Sequence, residues 1–391
     1  MQIKGLLFAI SLLFITVAKS QNSSDVKPLR IAVFAQLYLD SAFTKDGLYK
    51  HDLQMPKYML PGLDFTEGLL LALDTIPEAE NVEVRLYDLR DSRLNISSLK
   101  KEKIFDSISL IIGAVTGNDY RQLSAIALQY QIPFLSATFP NDGGITQNPF
   151  TILLNPTISA HCNALIQFLL QYQKKSNLIL LQKKGIQDEK IKNHLEIYNR
   201  TKTGKKYLNW SQHIASDSFK TEDIVDLLDS TRQNIIMCGS FDENLAIQCL
   251  NTSSSLKTYK IQYIGPPNWE TMKELQLPKH KDKTIYYSTS FYNDGSSEFV
   301  NFQKIFLTKT EGKASDISFR GYDVAINFIP LLIHHKNDFI NQLNDTTYQK
   351  LIEYNIQPVF LNKGPRPDYF ENKNVYIIKK SNGISVKMGK F

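Results

Sequence analysis

The stretch Ser109–Thr138 constrains this chain more than any other. An apolar run ends in Gly113-Ala114-Val115-Thr116-Gly117, a segment with helical spacing follows, and a second apolar run ends in Ser136-Ala137-Thr138. Two strand-like runs each break into small and hydroxylated residues where a strand would hand over to a helix. At the carboxyl ends of parallel strands, backbone amides and hydroxyls of this kind make a pocket.

The same alternation extends along the chain. Short apolar runs over Ile31–Gln36, Val82–Asp88, Ile108–Gly113, Ile132–Leu135 and Phe150–Leu154 are suited to buried strands. Pro61-Gly62 opens a helix on which Phe65, Leu69, Leu73 and Ile76 keep helical spacing. Asn118-Asp119 caps another, on which Tyr120, Leu123, Ile126, Ala127 and Tyr130 share a face. The alternation then restarts, with helices expected over 158–172, 187–198, 221–229 and 243–250. The strands expected with them cover 177–182, 206–213, 234–237, 261–265 and 284–288. About ten strand–helix units exceed one core. The expected class is therefore α/β, with two doubly wound parallel-sheet lobes. Beyond Tyr292 the pattern turns helical, over 296–307, 319–334 and 346–354. The tail from Pro358 to Met388 is expected to form short strands around Gly364-Pro365 and Ser381-Asn382-Gly383. Leu37–Leu60 is a long polar connection, a candidate lid or rim.

The chain opens with Lys4, the apolar run Gly5–Ala18, and Ala18-Lys19-Ser20 before Gln21. This is the pattern of a cleavable signal peptide over residues 1–20. Its apolar run is short of the ~20 residues that span a bilayer as a helix. No cysteine stands near the cut, so a lipoprotein anchor is not expected. The expected location is periplasmic or secreted, with a mature chain that does not span the membrane. The hydrophobic fraction of 42%, with 22 Phe and 19 Tyr, is ample for a large core. The net charge of +6 is spread through the chain without a basic block, so no nucleic-acid partner is expected. The three cysteines, Cys162, Cys238 and Cys249, make no disulfide framework and are expected as free, buried thiols.

Thr116, Ser136 and Thr138 carry pocket chemistry, set against the plainer role of satisfying turn backbones. Tyr38, just past the first strand, is placed to stack on a ligand. Asp88 and Asp91 at a strand end suit caps or rim charges better than acid–base catalysis. His161-Cys162 lacks ligand-spaced partners for a metal, and Lys183-Lys184 suits a solvated turn. Gly-x-Ser-x-Gly, His-Glu-x-x-His, the phosphate loop and the dinucleotide fingerprint are all missing from the sequence. No enzyme activity, cofactor or metal is expected.

Five motifs, in order, carry a family resemblance. They are Tyr87-Asp88; Ile111-Ile112-Gly113 with its Thr116-Gly117 loop; Ile132-Pro133-Phe134-Leu135-Ser136-Ala137-Thr138; Tyr263-Ile264-Gly265-Pro266; and Gly321-Tyr322-Asp323-Val324-Ala325. Across residues 29–391 the chain resembles the type I periplasmic binding proteins, in the branch of leucine/isoleucine/valine-binding proteins of ABC transporters. Phe139-Pro140-Asn141-Asp142-Gly143-Gly144 also resembles a subgroup common in Bacteroidetes envelopes.

The resemblance implies two lobes joined by three hinge crossovers. Lobe one would comprise 29–155 and 292–352, and lobe two 156–291 and 353–391, with a ligand held between them. The implied ligand is a small polar molecule, amino-acid-like in the family's best-matched members. The implied partner is an ABC permease or another envelope protein. In amino-acid binders of this branch a Ser or Thr after the third strand and a Ser-Ala-Thr loop hold the carboxylate. The matching positions are Thr116 or Gly117, with Asn118 beside them, and Ser136, Ala137 and Thr138. Gly117 stands where the family has serine. On the second lobe the matching loops contain Ser240, Phe241 and Asp242, and Asn268 and Trp269. The acid expected after Gly265-Pro266 is replaced by Pro267-Asn268, and a buried ammonium without a countercharge costs several kcal/mol. The alternative function is an envelope scaffold with a degenerate cleft, such as an activator of cell-wall synthesis.

Overall fold

The structure, a computed structural model, describes residues 28–51, 55–202, 208–251, 256, 258–361 and 364–391. The expected signal peptide, 1–20, lies outside the described residues. In chain order the strands begin with β1 (Leu29–Ala35), β2 (Val82–Asp88), β3 (Leu110–Ala114), β4 (Phe134–Ser136), β5 (Thr151–Leu153), β6 (Asn177–Gln182) and β7 (Trp210–Ile214). They continue with β8 (Gln233–Cys238), β9 (Lys260–Gly265), β10 (Ile285–Thr289), β11 (Ile356–Val359), β12 (Tyr369–Asn372), β13 (Tyr376–Ser381) and β14 (Ile384–Lys390).

The chain divides into two compact units, the first ending at Asn155 and resuming over Asn293–Asn372, the second made of Pro156–Tyr292 and Lys373–Phe391. Each has one seven-stranded sheet. The order is β11-β12-β5-β4-β3-β1-β2 in the first unit and β14-β13-β10-β9-β8-β6-β7 in the second. From β2 through β12 and from β7 through β10 every pairing is parallel. The carboxyl-terminal strands add antiparallel edges, β11 on β12 and β14 on β13, with β13 antiparallel to β10. Residues 356–372, expected in the second lobe, pair instead in the first unit's sheet, through Phe370 and Glu371 of β12 on Ile152 and Leu153 of β5. The short runs of the tail carry no cue that tells one sheet from the other.

The central strands such as β1 and β3 form because their residues are apolar on both faces, as a sheet covered on both sides requires, whereas the edge strands β7 and β14 are largely exposed. Ile31 to Phe34 and Leu110 to Ile112 are fully buried. In the first unit the helix Leu60–Leu73 packs on the helix Asp316–His335. Gly68 and Gly321 set their approach, since a Cβ on either would strike the other helix's backbone, at Ser318 and Phe65. Aromatic contacts extend this layer, with the Phe302 ring of the helix Ser297–Thr310 tilted against Phe319 at 4.8 Å and Tyr322 at 4.4 Å.

Three local features depart from the sequence pattern. The helix expected over 346–354 is only a short turn at Thr346–Tyr348, because the following chain is held by the buried carboxylate of Asp323. The expected helix at 221–229 is a 3₁₀ segment, Thr221–Leu227. An unforeseen helix, Ile96–Lys101, is capped by the Asn95 side chain, whose Oδ1 accepts from the Ser98 amide at 2.8 Å. At the Asn382-Gly383 turn both residues have positive φ (53° and 77°), the geometry that joins β13 to β14 in two residues. All three cysteines are buried and none is in a disulfide, and burial pushes the Cys162 and Cys238 thiols up to about 12. Among the described residues no helix is long and apolar enough to cross a membrane.

Candidate functional site

In a doubly wound sheet the chain leaves neighbouring strands in opposite directions at one place, and the crevice outside their carboxyl ends is where ligands bind. In the first unit that place lies between β1 and β3. The loop after β1 is fixed by Asp88, itself only 7% exposed, at the end of β2. Its carboxylate accepts from the amides of Leu37, Leu39 and Arg90, each at 2.9 Å. Asp88 is thus a loop clamp. Tyr38 is held there at φ 58°, half-buried, with its ring edge-on to Tyr58 at 4.8 Å.

After β3 the chain passes through Thr116, which is exposed, into the helix Gly117–Tyr130. Gly117 has φ 59°, and nothing lies within 4 Å of where its Cβ would be. Glycine is required here by the backbone rather than by crowding. Thr116 makes no side-chain cap, so the first amides of this 14-residue helix are left to another acceptor. Asn118 is exposed in the first turn. Asp119 accepts from Arg90 Nη2 at 2.8 Å and Gln36 Nε2 at 3.3 Å, tying together the loops after β1 and β2.

Ser136 ends β4 in register with Gly113. It is fully buried, and its hydroxyl has no hydrogen-bond partner among the described residues. An unmet buried hydroxyl costs about 1–3 kcal/mol. Ala137 is buried and donates its amide to Gly113 at 2.9 Å. The Thr138 carbonyl accepts from Asn155 Nδ2 at 2.9 Å. The first unit therefore brings Tyr38, Thr116, Gly117, Asn118, Ser136, Ala137 and Thr138 to one end of one sheet.

In the second unit the corresponding place lies between β6 and β8. Asp188 clamps the loop after β6, accepting from the Lys183 amide at 2.8 Å. Lys183 Nζ reaches Asp242 at 3.1 Å and Asp217 at 2.8 Å, contacts that hold its ammonium pKa above the usual value. Asp242 also accepts from the Leu245 amide at 2.7 Å, capping the helix Glu243–Asn251. Burial opposes its charge, but the helix amides and Lys183 outweigh that and hold its pKa below the usual carboxylate value. Ser240 is buried, its hydroxyl accepting from the Asp242 amide at 3.2 Å, and Phe241 is 38% exposed. Asn268 Nδ2 donates to the Phe241 carbonyl at 3.2 Å, joining the two loops.

Trp269 does not present its ring as a wall of this rim. It is 1% exposed, in the core cluster with Tyr263, Met272 and Leu275, and stacked where a side chain on Gly265 would be. Glu270 accepts from Thr289 Oγ1 at 2.7 Å. His161 pairs with Ser288 Oγ at 2.9 Å in the interior. Among the described residues no cluster of three or more potential ligands could hold a metal.

No family model matches the sequence, and no curated protein matches it. Solved structures do. A putative branched-chain amino acid ABC transporter protein from Rhodospirillum rubrum aligns with a TM-score of 0.67 and 13% identity, covering 92% of this chain and 100% of its own. A branched-chain amino acid ABC transporter periplasmic ligand-binding protein from Burkholderia xenovorans aligns with a TM-score of 0.64 and 14% identity, covering 93% and 95%. An ABC transporter substrate-binding protein from Desulfitobacterium hafniense, solved in complex with Leu, aligns with a TM-score of 0.55 and 14% identity, covering 92% and 99%. This chain has the substrate-binding-protein fold. The fold was legible in the motif succession. Arg90, Gln36 and Asp217, which brace the rims, were not, because their partners lie 29 to 83 residues away or on an unpatterned loop.

Proposed function

We propose that this protein binds a small polar solute noncovalently, for transport or sensing outside the cytoplasm, and catalyses no reaction. The observation that carries this reading is the pairing of Ser136 with the helix Gly117–Tyr130. A buried hydroxyl without a partner and a helix N-terminus without a side-chain cap face the same end of adjacent strands. Hydrogen-bond donors so arranged suit a carboxylate or another acceptor group. Tyr38 and Tyr58, edge-on to each other at 4.8 Å, supply aromatic surface at the loop after β1.

A ligand ammonium is less well served at this rim. Its acids Asp88 and Asp119 are taken up by the loops they brace. This favours acids and neutral polar solutes over a free α-amino acid. The fold neighbour solved with Leu makes leucine the natural comparison. The partner on this reading is a membrane permease or sensor, and residues 1–20 direct export.

Isothermal titration of the mature chain with leucine, isoleucine, 4-methylpentanoate and a panel of small acids, amides and sugars tests the reading. Micromolar binding of an acid lacking the ammonium group is the expected result. Tight leucine binding would refute the ligand class but keep the function. Silence across the whole panel would remove both.

A further inference from the structure

The second unit's sheet ends in an open edge. β14 is its outermost strand, and Ile384, Ser385, Val386 and Lys387 are all exposed. The two-residue turn at Asn382-Gly383 fixes which of its backbone groups face outward. In such a hairpin the flanking pair, Ser381 and Ile384, exchanges both hydrogen bonds, and the pairs beyond it alternate. Val386 therefore bonds inward to Lys379, while the amides and carbonyls of Ser385 and Lys387 point away from β13.

Side chains alternate along the same strand. Ile384 and Val386, 64% and 51% exposed, lie on one face, and Ser385 and Lys387 on the other. The Lys387 ammonium stands 5.4 Å from the ring centroids of both Tyr292 and Tyr376, which holds it at the edge. From Lys373 to Phe391 the chain has five lysines and no aspartate or glutamate. Lys281 lies beside the turn at Gly383, and the neighbouring acid, Asp282, pairs with Lys283 at 3.8 Å.

Charge selects what can cover this edge. A second copy of the strand would set the same lysines against one another. An anionic membrane would meet the charge but offers no row of backbone groups in register with Ser385 and Lys387. An extended acidic peptide meets both demands. Its backbone continues the ladder, its carboxylates lie beside Lys387, and its alternate apolar side chains lie beside Ile384 and Val386.

We propose that β14 is a docking edge for an acidic, extended segment of a partner protein, which adds to this sheet as a further strand. The site is separate from the solute rims and stands whether or not they bind an acid.

The test measures fluorescence anisotropy of a labelled peptide, Glu-Val-Glu-Thr-Glu-Val-Glu, on the mature chain. Its comparisons are the peptide with lysine in place of glutamate and the acidic peptide with every amide N-methylated. The acidic peptide is expected to bind at least tenfold tighter than either. Raising the salt from about 50 to 300 mM should weaken it at least fivefold. Ser385→Pro removes an outward amide and should abolish binding, with folding checked by circular dichroism. Lys387→Glu should reverse the preference between the acidic and lysine peptides. Equal binding of those two peptides, or undiminished binding of the N-methylated one, would overturn the proposal. So would silence from the acidic peptide, including silence accompanied by co-sedimentation of the protein with phosphatidylglycerol vesicles, which would assign the lysines to a membrane surface.

Discussion

At the scale of single residues, Ser136 separates function from stability. Its hydroxyl is fully buried and unpartnered, so it costs the empty protein free energy that a bound acceptor would return. Ser136→Ala should leave the apo melting temperature unchanged or raise it by a few degrees. If the rim holds an anionic ligand, the same change should weaken binding by tenfold or more, the loss of one charge-assisted hydrogen bond of about 1.5–3 kcal/mol. Scanning calorimetry and titration on the same variant measure both. A variant that loses apo stability and keeps its affinity would show Ser136 to be a packing residue. Such residues were visible in the sequence because small and hydroxylated types interrupt apolar runs at 113–117 and 136–138. Trp269 shows the opposite case. A tryptophan after a strand suits a pocket or a core equally by composition, and only the close seat of its ring against Gly265, which a side chain there would fill, decides for the core.

At the scale of elements, the helix Asp316–His335 anchors the irregular chain that follows it. Asp323 accepts from the Ile352 amide at 3.0 Å and from the Tyr354 hydroxyl at 2.6 Å. Burial pushes its carboxyl up to about 6, and these hydrogen bonds only partly restrain the shift. In the unfolded chain the same group titrates near 3.9. Between those values the folded state holds the extra proton, so this group's stabilising contribution is full below about pH 4 and is lost as pH rises through 6. The span is worth about 3 kcal/mol. Asp323→Asn keeps an acceptor for Ile352 and a polar group for Tyr354 but cannot titrate. The difference between wild-type and variant unfolding free energies should therefore change between pH 4 and pH 7, in favour of the wild type at the acid end. Urea titrations across that range report it, and a flat difference would mean that Asp323 is ionised at little cost. The sequence marked 346–354 as helical from its spacing alone. The 29-residue separation between Asp323 and Ile352 hides the contact that overrides that spacing. Long apolar strands such as β1 and β6 and long amphipathic helices such as Ile158–Tyr172 needed no distant partner to be legible.

At the scale of the whole molecule, the chain crosses between its two units at 155–156, 292–293 and 372–373. Neither unit is therefore a continuous piece of sequence. The first piece of unit one, 28–155, holds β1 to β5 and the helix Leu60–Leu73, but that helix, which buries Phe65, Gly68 and Leu69, packs against the helix Asp316–His335 of the later piece. Its edge strand β5 pairs with β12, again from the later piece. Expressed alone, 28–155 would expose a helix face and an apolar sheet edge, the conditions for aggregation rather than folding. Residues 28–155 joined through a Gly/Ser linker to 293–372 regain both partners. Such a chain should unfold cooperatively in urea and show near-ultraviolet dichroism from Phe302, Phe319 and Tyr322, whereas 28–155 should show neither. If 28–155 folded cooperatively without the later segment, the packing of Gly68 against Ser318 and of Gly321 against Phe65 would be dispensable. The return of the chain at 293 would then serve only to link the two units.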